Sequence, residues 1–174
     1  AINGNLSRDV RVIEAETAAE DFHARYSARG KTYCYRIFNA PIISPFWVRY
    51  AQHEVRPLDI ERMRECARLF LGQRDWTAFS SAQADAQTRV RTVTRLDVTQ
   101  RWDERGRASL VELTVSADGF LRYMVRSIAG TLSEVGRGRM DEATVERAIR
   151  SGERTLVGAT APACGLTLID VQYD

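Results

Sequence analysis

The chain has 174 residues, 44% hydrophobic and 28% charged, a balance that excludes a disordered segment and suits one globular domain, residues 1–174, with a real core. No apolar run approaches the length of a membrane span and the opening AINGNLSRDV lacks a signal-peptide core, so no membrane association and a cytoplasmic location are expected. Three scattered cysteines and two histidines give no disulfide framework and no zinc spacing, so no metal is expected, and the net charge is only +2.

In chain order, VRVIEA (10–15) alternates well enough for a strand. KTYCYRIF (31–38) is a clearer one, with Tyr33, Tyr35 and Ile37 on one face and Cys34, Arg36 and Phe38 on the other. Two prolines in PIISPFWVRYAQ mark a loop or edge before a short strand. A helix is predicted over 57–71, with Pro57 and Asp59 near its start, Gly72 beyond its end, and Ile60, Met63, Ala67 and Phe70 as its buried stripe. Two long strands joined at DERGR follow, and the imperfect alternation of Val93, Leu96 and Val98 allows a bulge. A helix over 119–135 is predicted with Asp118 as its cap, then a second in DEATVERAIRSG and a closing strand in GLTLIDVQY. The fold class is α+β, an antiparallel or mixed sheet with helices packed on one face.

Charge is unevenly placed. All basic residues but Lys31 are arginine, whose planar fork suits phosphate. Between Phe22 and Arg56 there are six basic residues and one acid, Glu54, and between Ala86 and Arg101 four arginines face only Asp97. That separation fits an anionic polymer such as RNA, or equally a solvated surface. The chain holds no nucleophile elbow, phosphate-binding glycine loop or metalloprotease helix, and GRGRMD follows a helix rather than opening one. On a helical wheel, Phe120, Leu121, Met124, Val125, Ile128 and Leu132 form a broad apolar sector, with Arg122, Arg126 and Ser133 opposite and Gly130 beside them. Periodicity alone makes Arg126 a surface charge, although small Ala129 and Gly130 would let a ligand or another element approach closely.

Five segments taken together resemble the tRNA pseudouridine synthases of the TruA type: DFHARYSARGKTYCYRIFN (21–39), LGQRDWTAFSS (71–81), RTVTRLDV (91–98), GFLRYMVRSIAGTL (119–132) and TAPACGLTLIDVQY (160–173). They stand in that family's order and at its spacing. The resemblance implies isomerisation of uridine to pseudouridine in the tRNA anticodon stem-loop, without cofactor or metal, by a homodimer. It also implies a target base taken out of the stack and a pseudouridine-synthase-like sheet. By the same resemblance Tyr33 lies against the uracil and is a candidate for handling its C5 proton. Arg126 pairs with the catalytic aspartate, and Leu166 forms the apolar pocket floor. Arg25, Arg29, Lys31 and Arg122 are the candidate RNA contacts.

One departure is large. The family's aspartate stands in a GRTDxGVHA-like segment upstream of DFHAR, and this sequence holds no such segment. AINGNLSRDVRV resembles the stretch after that aspartate. The expectation is therefore a C-terminal portion of a longer synthase, inactive alone, for which Asp75, Asp97 and Asp118 are no substitutes. Two other readings stay open, a stand-alone RNA-binding module using the basic segments with Tyr26, Tyr33 and Tyr35, and a self-association domain.

Overall fold

The computed structural model describes residues 2–82 and 87–173. Strand β1 (Gly30–Asn39) is the organising element, because its alternating sequence gives it two usable faces and it pairs along its whole length with β5 (Ala108–Ala117), antiparallel. Its other edge is shared. β6 (Leu166–Gln172) runs antiparallel to 30–35, and β2 (Gln52–Glu54) runs parallel to 37–39. Beyond β5 lie β4 (Val90–Asp103) and then the short β3 (Gly72–Asp75), which completes a six-stranded mixed sheet. The expected bulge is present, as the β4–β5 register shifts between Val93 and Arg95.

Helices α1 (Ile60–Ala67), α2 (Met124–Gly136) and α3 (Glu142–Ser151) close one face. Their apolar residues share a single core with Tyr35, Ile37, Val98, Leu113 and Val115 of the sheet. The other face is largely polar, with Arg36 paired to Glu112 and the Thr32 and Ser116 hydroxyls 2.8 Å apart. At one end it carries a small second cluster of Phe38, Ala51, Ala108 and Leu110. The α+β expectation, with helices on one face of a mixed sheet, therefore holds.

Three local expectations do not. Residues 10–15 form no strand: Ile13 is 98% exposed, and among the described residues no neighbouring strand offers its backbone a partner there, Asn3 instead bonding both the amide and the carbonyl of Val12. The predicted stripe of α1 is buried as expected, and Asp59 caps the helix by accepting from the Arg62 amide at 3.0 Å. The regular helix nonetheless ends at Ala67, tightening into a 3-10 turn over Arg68–Phe70. Helix α2 begins at Met124, five residues later than its periodicity suggested, and Asp118 does not cap it. Its carboxylate accepts from the Thr92 amide at 3.0 Å, and its own amide donates to the Thr92 carbonyl, so Asp118 extends the β4–β5 pairing.

Helix α2 is also covered on the side the wheel left polar. Ser127, Thr131 and Ser133 are buried, and residues 157–161 lie directly against Gly130. A Cβ at Gly130 would sit 1.8 Å from the Ala159 carbonyl oxygen, and one at Gly158 would sit 2.9 Å from Thr131 Cα. The Thr131 hydroxyl accepts from the Gly158 amide and donates to the Ser127 carbonyl, which satisfies groups that this close approach would otherwise strand. At the helix's far end Arg137 reaches the buried Glu54 of β2 and also Glu134. Near the β4–β5 turn, Asp103 accepts from the Trp47 indole at 2.8 Å and from the Gly106 amide at 2.6 Å. The indole bond above all holds the Asp103 carboxyl below the usual carboxylate range.

Gly130→Ala is expected to destabilise the protein by about 1–3 kcal/mol or more, since its methyl group meets backbone rather than a movable side chain; urea unfolding against the unchanged chain measures this. Asp103 contributes stability fully above its unfolded pKa, and that contribution fades as pH falls through the lower folded value. Asp103→Asn should therefore cost about 1 kcal/mol at neutral pH, with the gap to the unchanged protein closing in acid, as read by thermal melts across pH.

Candidate active site

Between the N-terminal end of α2 and the β1–β6 edge lies a groove of about 420 Å³. Tyr33, Leu166 and Arg126, three positions far apart in the chain, all line it, and so do Arg25 and Arg122. Each arrives by a different structural route. Tyr33 comes from β1 on the helix-covered side, where its ring meets Phe120 edge-on at 5.0 Å. Burial pushes its phenol above the ordinary tyrosine value, so at neutral pH it carries its proton. Leu166 opens β6 opposite Tyr35, directly after the 3-10 turn Ala163–Gly165.

That turn is held by Tyr35, which is wholly buried and donates from its hydroxyl to the Pro162 carbonyl at 2.8 Å, with the Gln52 side-chain amide 2.9 Å away. Burial raises the Tyr35 phenol far above its ordinary value. Gly165 is required at this point, because a Cβ would come within 2.8 Å of the Tyr35 ring and 2.7 Å of the Arg36 carbonyl. Tyr35 is thus a structural residue, out of reach of any stacking partner, unlike the exposed Tyr26.

Arg126 projects from the first turn of α2. Its Nε donates to the Ala161 carbonyl at 2.6 Å, while the Ala161 amide donates to its own carbonyl at 3.0 Å. The guanidinium carbon lies 5.1 Å from the centre of the Tyr123 ring. Its two terminal nitrogens have no protein partner among the described residues, and no carboxylate lies among the residues that line the groove. Arg126 is therefore a half-buried, fixed cation with its bidentate end open. Arg122, exposed, lies against the same Tyr123 ring at 5.0 Å, and Arg25 adds positive charge to the groove.

Arg29 and Lys31 do not join this group. They line a separate groove with Thr94, Arg95 and Asp170. Tyr123 is the residue that sequence reasoning missed. It adopts a left-handed backbone, φ 69°, immediately before α2, a conformation uncommon for a bulky non-glycine side chain. Nothing in its local sequence signals this; the conformation follows from the late start of α2. Phe120, read from the wheel as core, is only partly buried and lines the groove.

Residues 66–174 match the profile of a family described as tRNA pseudouridine synthase. The tRNA pseudouridine synthase A 2 of Clostridium perfringens is 40% identical over 173 residues, which span 99% of this chain and 68% of that protein. The chain belongs to the tRNA pseudouridine synthase family. The family's members are isomerases acting on tRNA uridines. Acetivibrio thermocellus has a tRNA pseudouridine synthase A that is 40% identical over 173 residues, 99% of this chain and 68% of its own length. A Bacillus cereus tRNA pseudouridine synthase A 2 is 35% identical over 172 residues, again 99% and 68%. Among the described residues no helix is long and apolar enough to cross a membrane.

The raised Tyr33 phenol has a direct readout. In a spectrophotometric titration Tyr33→Phe should remove a tyrosine that ionises above about pH 10, leaving the earlier part of the curve unchanged. Loss of an ordinary or early-ionising tyrosine would contradict the burial of this ring.

Proposed function

We propose that this chain supplies one wall of the uridine-isomerising site of a tRNA pseudouridine synthase acting on the anticodon stem-loop. In this reading the target base leaves the stack and lies flat in the groove. Leu166 packs beneath it, Tyr33 stands beside it with its phenol protonated, and Arg25 and Arg122 meet the RNA at the rim. Arg29 and Lys31, in the neighbouring groove, contact a more distant part of the RNA. The glycosidic bond breaks, the uracil turns, and its C5 is rejoined to the ribose.

The nucleophile is an aspartate carried on a segment outside these 174 residues, with which this C-terminal domain acts, and the chain by itself is inactive. The observation that carries this reading is Arg126, whose open, fixed guanidinium faces a groove that has no acid among its lining residues. A carboxylate brought there would be kept ionised and oriented by a bidentate pair. The working enzyme is a cytoplasmic homodimer, which sedimentation against concentration would test.

The isolated chain should form no pseudouridine on an anticodon-arm RNA, and the longer synthase should. In that longer enzyme Arg126→Ala should lower turnover by about 100-fold or more while leaving tRNA affinity within a few-fold, because the arginine acts on the reacting carboxylate. Equal losses in turnover and binding would make Arg126 a phosphate contact instead.

A further inference from the structure

A second hollow, of about 460 Å³, lies on the other side of Tyr123. Tyr123 lines both this hollow and the uridine groove, and Ser127 and Thr160 line this one alone. Two guanidiniums that are distant in sequence converge here. Arg89, in the loop before β4, is fixed through its backbone carbonyl, which accepts from the Trp76 amide at 3.0 Å. Its Nη1 donates to the Ser80 hydroxyl at 2.7 Å and to the Ser81 carbonyl at 3.1 Å. Arg154, in the 3-10 turn after α3, donates from Nη2 to the Thr160 hydroxyl at 2.8 Å. Ser127 of α2 closes this row, its hydroxyl 3.4 Å from that of Thr160.

This hollow gathers two guanidiniums that are held by neutral groups. Arg36, Arg95 and Arg137 each hold a carboxylate. Arg89 and Arg154 ion-pair with none among the described residues, the Asp75 carboxylate meeting the charge of Arg89 only at longer range, and every hydrogen-bond acceptor they hold is neutral. Neutral acceptors orient a guanidinium without cancelling its charge. Two such groups with three hydroxyls around one cavity form a site for a tetrahedral oxyanion, which accepts from both kinds of donor.

We propose that this hollow binds the phosphodiester that flanks the target uridine, on the opposite side of Tyr123 from the base. The proposal rests on the functional reading above and extends it to a specific backbone contact. Covalent continuity supplies the logic: a nucleotide whose base occupies one hollow must carry its phosphate a short distance away, and the adjoining hollow is the one built for an anion. Tyr123, held in a left-handed conformation between the two, is the divider that splays base and backbone apart. Phosphate contacts of this kind fix register rather than read sequence.

The test is a cycle between protein and RNA. Anticodon-arm RNAs carrying one uncharged methylphosphonate, placed in turn on each side of the target uridine, are titrated with the unchanged chain, with Arg154→Gln and with Arg89→Gln, across a salt series. At one of the two positions the methylphosphonate should weaken binding to the unchanged chain roughly tenfold or more. The salt slope should fall there by about 0.7. In either variant that same methylphosphonate should have no further effect. Arg154→Lys should recover the salt slope but not the full affinity, since the fork is lost. Thermal melts identify any variant that fails to fold; Arg154, which is exposed and reaches the buried Ala78 carbonyl only at 3.5 Å, keeps the cycle readable if Arg89→Gln does not fold. Additive losses in the unchanged chain and the variants would overturn the phosphate site while leaving the functional reading in place. Failure of the unchanged chain to bind any of the RNAs at low salt would overturn the phosphate site, while the functional reading is decided separately by the activity of the longer synthase.

Discussion

The close approach of residues 157–162 to helix α2 is the constraint on which the rest of the site depends. Two glycines, Gly130 on the helix and Gly158 on the strap, allow backbone to pack on backbone. Once they meet, Ala161 is locked to Arg126 by a reciprocal pair of hydrogen bonds, from its amide to the arginine's carbonyl and from the guanidinium to its own carbonyl. One residue further on, the Pro162 carbonyl receives the Tyr35 hydroxyl, and Gly165 lets the chain pass over the Tyr35 ring. The strap then enters β6 at Leu166. This packing therefore helps to set the Arg126 guanidinium, the start of β6 at Leu166 and the edge of β1 that carries Tyr33. Preorganisation of this kind matters for chemistry because the groups are oriented before substrate arrives.

Electrostatics divides the arginines by task. Some are consumed in structure, as where Arg36 meets Glu112 across the open face and Arg137 reaches the buried Glu54. The second of these is the kind of pair whose partner cannot be removed cheaply, because the remaining charge would be left buried. Arg126, Arg122, Arg89 and Arg154 are held differently, by carbonyls, hydroxyls and an aromatic ring. These neutral contacts cost little of their charge, which stays directed into the two hollows beside Tyr123. A polyanion is recognised by such residual charge, and a net charge of only +2 conceals it.

The resemblance of the five quoted segments identified the family and named Tyr33, Arg126 and Leu166 before any geometry, and the fold brings these three into one groove. Residue periodicity alone would have left Arg126 on a solvated face. That reading failed because a wheel describes one helix in isolation and knows nothing of the strap that covers Ser127, Gly130 and Thr131. The same isolation explains the other differences. Alternation over 10–15 suggested a strand, but a strand needs a neighbour for its backbone, and among the described residues none runs beside it. Asp118 had the residue type of a cap, yet the ladder with Thr92 took it first.

What the sequence determined by itself was local and chemical: the alternation of β1, the stripe of α1 with Asp59 near its start, the turn between β4 and β5, and the motif residues of the family. These rest on side-chain periodicity and short-range hydrogen bonds, which a few consecutive residues suffice to specify. Only the tertiary structure decided where α2 begins, that Tyr123 takes a left-handed backbone, and that Arg89 and Arg154 share a hollow. Each of those depends on contacts between segments far apart in the chain, whose geometry is settled by packing density and by which buried polar groups find partners.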